Sequence, residues 1–372
     1  MLKKHKHLFY IILALVIAYP VFLIALPGCG GPGGGGGGFT VTAPMPTFTA
    51  IPTTPTPTPE TSSKYAYVSA SGGGVIDVYN ADTFEFVKKI EGLSMPQGMC
   101  FSKATKRTGD KPKYLYVANW TNVKRFNLET QSIDNGWTGV NGLAITDLKI
   151  TPDDKYLYSV DGGNNTIFVT DTTTQLDIKQ INPGANAALQ CNAMTSDGAY
   201  VVISRLGFMV PPCGIPIIET AGNTVWKTAV TTLGMPIDGI AIDPADTYAY
   251  VAITNANKVA VVQIQTGQVV GSVEVGTYPI GIAITPNGEY AYVANAFSNN
   301  VSVLRLNGAT PTELPDKIAV GNYPTGPGIS SDGKFVWVPC GNEGKVYVIR
   351  TSDNTVYKIL DADSGPYAAL VE

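Results

Sequence analysis

Short runs of alternating apolar and polar residues recur along most of the chain, and turns rich in Pro, Asn and Gly separate them. The clearest unit spans residues 276–306, GTYPIGIAITPNGEYAYVANAFSNNVSVLRL. Its runs at 280–285 and 290–295 flank a Pro-Asn-Gly turn, and a third run at 301–306 follows Ser-Asn-Asn. Period-two alternation between turn residues predicts short antiparallel strands.

An aromatic residue at the start of a strand marks each further copy of this unit. The marks are Tyr65, Tyr114, Tyr156, Tyr200, Tyr248, Tyr290 and Phe335. They lie 49, 42, 44, 48, 42 and 45 residues apart. A repeat of this length, built of short strands, is typical of a four-stranded propeller blade and not of a helical solenoid. The seven marks therefore predict seven blades.

The residues of the clearest unit also match a known family. The pattern PxGIAxTPxGxYxYVANxxxNxVSV closely resembles the YVTN β-propeller repeat of cell-surface proteins. The resemblance covers residues 64–372 and is strongest between 236 and 306. It implies a propeller that is displayed at the cell surface for interaction, although a fold by itself assigns no particular activity.

The two ends of the repeat region are complementary. Each blade is expected to run from an innermost strand a through b and c to an outer strand d. The region begins on a b strand at 64–69 and finishes on an a-type strand at 366–371. We therefore predict an all-β, seven-bladed β-propeller of four-stranded antiparallel blades, with the ring closed by the C-terminal strand joining the N-terminal blade.

Residues 1–28 form a predicted signal peptide or membrane anchor. A basic start precedes an apolar run at 8–26, which is typical of an export signal. The segment Leu26-Pro27-Gly28-Cys29 resembles a bacterial lipobox, which implies lipidation of Cys29, although Pro27 departs from the usual pattern. The alternative is an uncleaved anchor, because about 20 apolar residues span a bilayer. Both alternatives place the body outside the cytoplasm, anchored to the membrane or cell surface.

Residues 29–63 are a predicted linker, and the propeller is expected to occupy residues 64–372. The linker begins with a glycine tract at 30–38 and continues with a Thr/Pro-rich tract at 40–63. Glycine tracts are flexible, whereas Thr-Pro repeats favour the extended polyproline II conformation. We expect this linker to hold the propeller away from the membrane.

Charge and histidine content exclude several classes of function. The net charge of −4 and the pI near 5.3 provide no basic field for nucleic acid, so we expect no nucleic-acid partner. The only histidines, His5 and His7, lie in the targeting segment. The propeller therefore lacks a Ser-His-Asp apparatus, a histidine-ligated haem and most zinc sites. We predict no cofactor, with Ca²⁺ left open at the oxygen-rich segments 161–165 and 295–300.

Four cysteines remain in the propeller, namely Cys100, Cys191, Cys213 and Cys340. Outside the cytoplasm cysteines can pair. Cys191 lies at the top of an a strand and Cys213 ends the following b-to-c loop, so a disulfide between them is one interpretation and free buried thiols are the other.

The b-to-c and d-to-a loops are expected to share one face of the propeller, called the upper face below. The a-to-b and c-to-d turns form the lower face, where a basic insertion at 103–113 is interpreted as solvated. The candidate binding residues of the upper face are Trp120, Phe208, Met209, Asp238, Tyr278, Phe297, Tyr323 and Tyr367. Phe208 and Met209 belong to an apolar loop that is either a partner site or a plug over the channel. The Tyr-Pro pairs at 278 and 323 also fit a purely structural role in the repeat.

These observations favour a surface-tethered binding or interaction scaffold. The expected partner is an envelope protein, a peptide or a glycan, and the expected membrane contact is the N-terminal lipid or helix. The alternative function is a propeller enzyme such as a lactonase-like hydrolase, with Asp238 and Arg205 at the mouth of the central channel. Converging carboxylates with perturbed pKa values would favour the enzyme, and a broad aromatic upper face would favour the scaffold.

Overall fold

A computed structural model describes residues 64–107, 111–184, 187–207, 213–231 and 237–372. The predicted signal, the linker and lipidation site Cys29 lie outside these residues. The described part of the chain is built of β-strands, with a single 3-10 turn at Thr254–Ala256. It holds no helix long and apolar enough to cross a membrane.

The strands follow one another at the spacing that the sequence predicts. In the first half of the chain they are β1 (Tyr65–Ala70), β2 (Val75–Asn80), β3 (Phe86–Ile90), β4 (Met99–Phe101), β5 (Lys106–Arg107), β6 (Lys111–Pro112), β7 (Tyr114–Ala118), β8 (Trp120–Asn127), β9 (Ser132–Ile133), β10 (Asn141–Ile150), β11 (Tyr156–Asp161), β12 (Thr166–Asp171), β13 (Asp177–Ile181), β14 (Ala187–Met194) and β15 (Tyr200–Gly207). The remaining strands are β16 (Cys213–Glu219), β17 (Thr224–Thr231), β18 (Ile237–Ile242), β19 (Tyr248–Ile253), β20 (Lys258–Gln263), β21 (Gln268–Glu274), β22 (Pro279–Ile284), β23 (Tyr290–Asn295), β24 (Asn300–Arg305), β25 (Thr312–Glu313), β26 (Ile318–Ala319), β27 (Gly328–Ile329), β28 (Phe335–Cys340), β29 (Lys345–Arg350), β30 (Thr355–Asp361) and β31 (Pro366–Val371).

These strands form seven antiparallel blades. Blade 1 has the order β3-β2-β1-β31, and blades 4, 5 and 7 are four-stranded sheets of consecutive strands from β14, β18 and β27. Blade 2 (β4, β7, β8, β9) and blade 3 (β10 to β13) are joined into one sheet by the pairing of β8 with β10. In blade 6 the outer strand is split, because β25 and β26 both pair with β24. The prediction of seven four-stranded blades is confirmed.

The last strand joins the first blade as predicted. Strand β31 pairs antiparallel with β1, with Ala66 opposite Val371 and Tyr67 opposite Leu370. Among the described residues, a cluster of buried apolar side chains fills each of the seven junctions between neighbouring blades, including the junction of blade 7 with blade 1. Every blade therefore packs on two others, which is the arrangement of a closed ring.

A repeated tyrosine connects successive blades. The hydroxyl of Tyr250 donates to the carbonyl of Gly308 at 2.9 Å, and that of Tyr292 donates to Oδ1 of Asn354 at 2.7 Å. Each acceptor lies in a c-to-d turn of the next blade. At the junction of blades 7 and 1 the corresponding pair is Trp337 stacked on Phe84, with ring centroids 5.7 Å apart. The junction of blades 7 and 1 thus uses aromatic packing where the junctions that follow blades 5 and 6 use a hydrogen bond.

Neighbouring inner strands approach one another so closely that side chains are excluded. A Cβ atom on Gly281 would lie 2.5 Å from the carbonyl oxygen of Thr325, and one on Gly328 would lie 2.4 Å from that of Ala369. Real Cβ atoms do not come so close to backbone. The repeated glycines of the inner strands are therefore required by the narrow centre of the ring.

The basic insertion on the lower face is only partly solvated, which corrects our interpretation. Strands β5 and β6 form a small hairpin, from which Arg107 Nη2 reaches Glu372 Oε1 at 2.7 Å. The Glu372 side chain is 3% exposed, and its burial raises the pKa of the carboxyl group despite the attraction of Arg107. The insertion therefore holds the residue that follows the closing strand.

Candidate functional site

The upper face of blade 6 carries an exposed group of three aromatic side chains, Tyr278, Phe297 and Tyr323, called the aromatic patch below. Phe297 is 60% exposed. Its ring stacks on Tyr278 with a centroid distance of 4.1 Å and an angle of 14°. Tyr323 lies on the same cluster, 6.0 Å from Phe297 at 51°. The structure thus brings together three of the eight predicted binding residues.

Two d-to-a loops place the tyrosines of the patch. Tyr278 precedes Pro279, the first residue of β22, and Tyr323 precedes Pro324, which forms an isolated bridge with Cys340. Both tyrosines adopt the left-handed backbone conformation, with φ of 61° and 60°. The N–H of Tyr278 donates to Oδ1 of Asn257 at 3.0 Å, and the N–H of Tyr323 donates to Oδ1 of Asn299 at 3.1 Å. Each tyrosine is therefore held by an asparagine of the preceding blade.

The b-to-c loop of blade 6 is fixed against the first of these loops. Ala296 N donates to the carbonyl of Tyr278 at 2.9 Å, and Phe297 N donates to that of Thr277 at 3.2 Å. These bonds bring the Phe297 ring over Tyr278. The position of the Phe297 ring on Tyr278 is consequently set by backbone hydrogen bonds.

Blade 1 shows that this backbone does not need tyrosine. Gly365 precedes Pro366 at the equivalent position, with φ of 67°. Its carbonyl accepts a hydrogen bond from Ser71 in the b-to-c loop of blade 1, as the carbonyl of Tyr278 does from Ala296. A residue with a side chain costs about 1–2 kcal/mol in the left-handed conformation, whereas glycine does not. Tyr278 and Tyr323 thus occupy a strained position that glycine fills in blade 1, and residues in such strain cluster at functional sites.

The side chains immediately around the patch are mostly uncharged polar groups. Asn257, Thr277, Asn299 and Asn322 are all exposed. Asn257 and Asn299 use their side-chain oxygens on the tyrosines, and within the described ranges their NH₂ groups have no hydrogen-bond acceptor. The nearby carboxylate of Glu343 already accepts hydrogen bonds from Asn322 N and Tyr347 Oη. The patch therefore offers an exposed aromatic ring face beside amide donors.

The other predicted binding residues do not add to this cluster in the described structure. Trp120 lies half-buried on blade 2, away from blade 6, and Tyr367 lies half-buried in the inner strand of blade 1. Phe208 and Met209 lie outside the described residues, and so does the side chain of Asp238. Their assignment to the site stays a prediction.

The predicted disulfide would join β14 to β16, and the candidate Ca²⁺ segments lie at the ends of β11 and β23. Cys191 is half-buried on β14, but the side chain of Cys213 is not described, so their disulfide stays a prediction. The carboxylate of Asp161 is fully buried and accepts hydrogen bonds from four backbone N–H groups, those of Leu143, Ala144, Gly163 and Asn164. No group of three or more His, Cys, Asp or Glu in the described ranges is arranged to hold a metal ion. The oxygens of Asp161 are therefore directed at the protein's own backbone.

The inner strands hold a charged cluster that sequence reasoning missed. Lys149 Nζ lies 3.1 Å from both carboxylate oxygens of Asp147, and the second of these oxygens also accepts from Asn192 N at 3.0 Å. Burial lowers the pKa of Lys149, but the charge of Asp147, its hydrogen bond and the neighbouring thiols together outweigh burial, so the pKa is raised overall. Burial also raises the pKa of the neighbouring Cys100 thiol to about 12. The sequence signal for this cluster was the pair of charged residues in the run TDLKI, because the corresponding positions of the clearest inner strands read Gly-Ile-Ala-Ile.

A small cavity lies on the lower face and not beside the patch. It has a volume of about 130 Å³ and is lined by Lys64, Asp82, Asp332, Lys334, Phe335 and Glu372 among others. This volume is below the range of about 300–1,000 Å³ that is usual for small-molecule pockets. We therefore assign no ligand to it.

Comparison with known proteins supports the propeller. Residues 236–325 match the family of lactonases with a seven-bladed β-propeller. The chain is a β-propeller. The match covers 90 of 372 residues, which include the aromatic patch, and no curated protein matches the chain. The family match supports a β-propeller but not the YVTN type of repeat, which stays a prediction.

Solved structures resemble the chain over most of its length. Hydrazine synthase of Kuenenia stuttgartiensis is 18% identical with a TM-score of 0.68, covering 77% of this chain and 92% of that one. A protein of Bacteroides fragilis, provisionally described as a 6-phosphogluconolactonase, is 16% identical with a TM-score of 0.66, covering 85% and 99%. A protein of unknown function from Desulfotomaculum acetoxidans is 14% identical with a TM-score of 0.66, covering 83% and 99%. At these identities the similarity shows the fold alone.

Proposed function

We propose that this chain is an envelope-tethered β-propeller that binds its partner through the aromatic patch of blade 6. The observation that carries the proposal is the pair of strained tyrosines, Tyr278 and Tyr323, at a position that glycine fills in blade 1. Glycine fills this position in blade 1 without strain, whereas here the two tyrosine rings flank an exposed Phe297. Exposed aromatic clusters of this kind are typical of binding surfaces.

The tether is the second part of the proposal. The apolar run at 8–26 and the lipobox-like segment at Cys29 would attach the chain to a membrane, and the linker at 29–63 would present the propeller. We infer an extracytoplasmic location and a partner in the envelope. Fractionation of cells, with palmitate labelling of the natural chain and of Cys29→Ser, tests this part. Lipid that stays on Cys29→Ser would contradict lipidation at Cys29.

Affinity capture tests the binding surface. The tagged full-length chain is cross-linked in the envelope, beside a Tyr278→Gly/Tyr323→Gly variant that keeps the preferred backbone and removes both rings. Leu176→Ser is the matched control, because Leu176 is 66% exposed on blade 3 and belongs to no cluster of the upper face. We expect a partner that the natural chain and the control retain and the double variant loses. Equal recovery by all three would refute the patch as the binding surface.

A lactonase-like hydrolase is the second candidate, and the family match at residues 236–325 favours it. Asp238 and Arg205 were its predicted residues, and Arg205 Nη1 donates to the Pro183 carbonyl at 3.4 Å. The raised pKa values of Lys149 and Cys100 keep both groups protonated at neutral pH, so neither is suited to act as nucleophile or base. Lactone hydrolysis that is abolished by Asp238→Asn would establish the enzyme, and its absence would leave the binding function.

A further inference from the structure

The chemistry of the patch indicates one class of ligand. We propose that the aromatic patch binds a neutral glycan, with one face of a sugar ring lying on Phe297 and its hydroxyl groups bonded to the amide rim. This inference rests on the proposed binding function and narrows it. Three features of the described residues support it: the shape of the apolar surface, the kind of polar groups around it, and the state of the nearby charges.

The apolar surface consists of one exposed ring face with a tilted neighbour. Phe297 is backed by Tyr278 at a centroid distance of 4.1 Å and an angle of 14°, so the two rings form a double layer. Tyr323 lies 6.0 Å from Phe297 at 51°, a contact distance for aromatic rings that leaves no slot between them for a ligand side chain. A ligand must therefore lie on the exposed face of Phe297 beside Tyr323, as a pyranose ring can.

The polar groups around the rings suit hydroxyl groups. Asn257 and Asn299 present NH₂ donors, while the exposed Asn322 and Thr277 offer both donors and acceptors. A sugar hydroxyl is itself both a donor and an acceptor, so it can bond to either kind of group. A ligand that carries only acceptors or only donors would use half of this rim.

The charged groups nearest the patch argue against an anionic ligand. Lys258 Nζ lies 3.7 Å from Glu274 Oε1, so this cation already has an anionic partner. The exposed Glu343 carboxylate accepts hydrogen bonds only from uncharged groups, and its negative charge would repel a phosphate or a uronic acid. A neutral ligand meets no such repulsion.

A proline-rich peptide is the alternative occupant, because polyproline II segments also dock on aromatic surfaces. It is disfavoured since such segments insert proline rings between aromatic side chains, and here the rings are in contact. The protein's own Thr-Pro tract supplies a convenient probe of this alternative.

The test measures binding of defined probes to the detergent-solubilised full-length chain. The neutral probes are cellohexaose, chitohexaose, xylohexaose and mannohexaose, the anionic probe is a polygalacturonate fragment, and the peptide is TTPTPTPTPE. The variants are Phe297→Ala, the conservative Phe297→Tyr and the control Leu176→Ser. We expect a neutral oligosaccharide to bind and Phe297→Ala to weaken it at least about tenfold, the scale of one well-packed aromatic contact, while Phe297→Tyr and Leu176→Ser bind normally.

Each other outcome overturns the inference in a distinguishable way. Neutral glycans that bind equally well to Phe297→Ala would place the glycan site elsewhere. Binding of the peptide or of polygalacturonate alone, or envelope capture that depends on the patch without any glycan binding, would refute the glycan and leave the binding function. If the patch variants alter neither glycan binding nor envelope capture, both proposals fail.

Discussion

The backbone strain at Tyr278 predicts that glycine is more stabilising than alanine at this position, which reverses the usual order. Tyr278→Ala and Tyr278→Gly both remove the ring and its stack on Phe297, so that loss cancels when the two variants are compared. At a φ of 61°, alanine retains a cost of about 1–2 kcal/mol that glycine does not have. Relative to alanine, glycine lowers the free energy of unfolding by about 0.5–1 kcal/mol, because the unfolded chain is more flexible at glycine. We therefore expect Tyr278→Gly to be more stable than Tyr278→Ala by about 0.5–1 kcal/mol.

The comparison needs only unfolding midpoints in guanidinium chloride, provided that the slope of each transition is unchanged. Val270, an exposed residue of outer strand β21 without a positive φ, is the matched control. There the alanine variant should be the more stable of the two, as in ordinary strands. A Tyr278→Ala protein as stable as Tyr278→Gly, or more so, would refute the argument that the tyrosine is held at a cost.

Three further predictions concern the core and the closure of the ring. Burial raises the pKa of Cys100 and Cys340 to about 12, so iodoacetamide at mildly alkaline pH should label neither thiol in the folded protein and both after unfolding; mass spectrometry of the peptides measures this. Burial raises the pKa of the Glu372 carboxyl group in the folded protein above its value in the unfolded chain. The protonated carboxyl group therefore contributes fully to stability below the unfolded-state pKa, and this contribution is lost as the pH rises through the folded-state pKa. Unfolding midpoints between acidic and neutral pH should show this loss, and Glu372→Gln should remove it. Deletion of residues 366–372 removes β31 from blade 1 and should destroy the single cooperative transition, whereas an unchanged thermal midpoint would contradict closure by this strand.

The blades were predictable because the information that specifies them is local. A predicted strand at 290–295 matches β23, and the predicted closing strand at 366–371 matches β31. Alternation specifies each strand, and Pro, Asn and Gly specify the turns between them. The length of the repeat then gives the number of blades without any knowledge of tertiary contacts.

Contacts between distant segments were not predictable in the same way. Arg107 and Glu372 are 265 positions apart, and nothing in the basic insertion indicates that it reaches the closing strand. Asp147 and Lys149 alternate as solvated residues of a strand would, so their burial in an inner strand is visible only once the blades are assembled. For the patch, loop topology placed Tyr278, Phe297 and Tyr323 on one face, but the Tyr-Pro pairs do not indicate a positive φ or the stacking of the rings.

Equivalent positions in the blades of a repeat protein can be compared with one another, because they share one backbone arrangement. In blades 1 and 6 the residue before the inner-strand proline accepts the same hydrogen bond from the b-to-c loop, although it is glycine in one and tyrosine in the other. The blade therefore forms with either residue at this position. Glycine at this site in blade 1 shows that the least strained solution is available to the fold. Tyrosines there, in two adjacent loops beside an exposed phenylalanine, depart from the solution that blade 1 uses. Because blade 1 forms the same hydrogen bond without a side chain at this position, the departure is best explained by an interaction of the two rings.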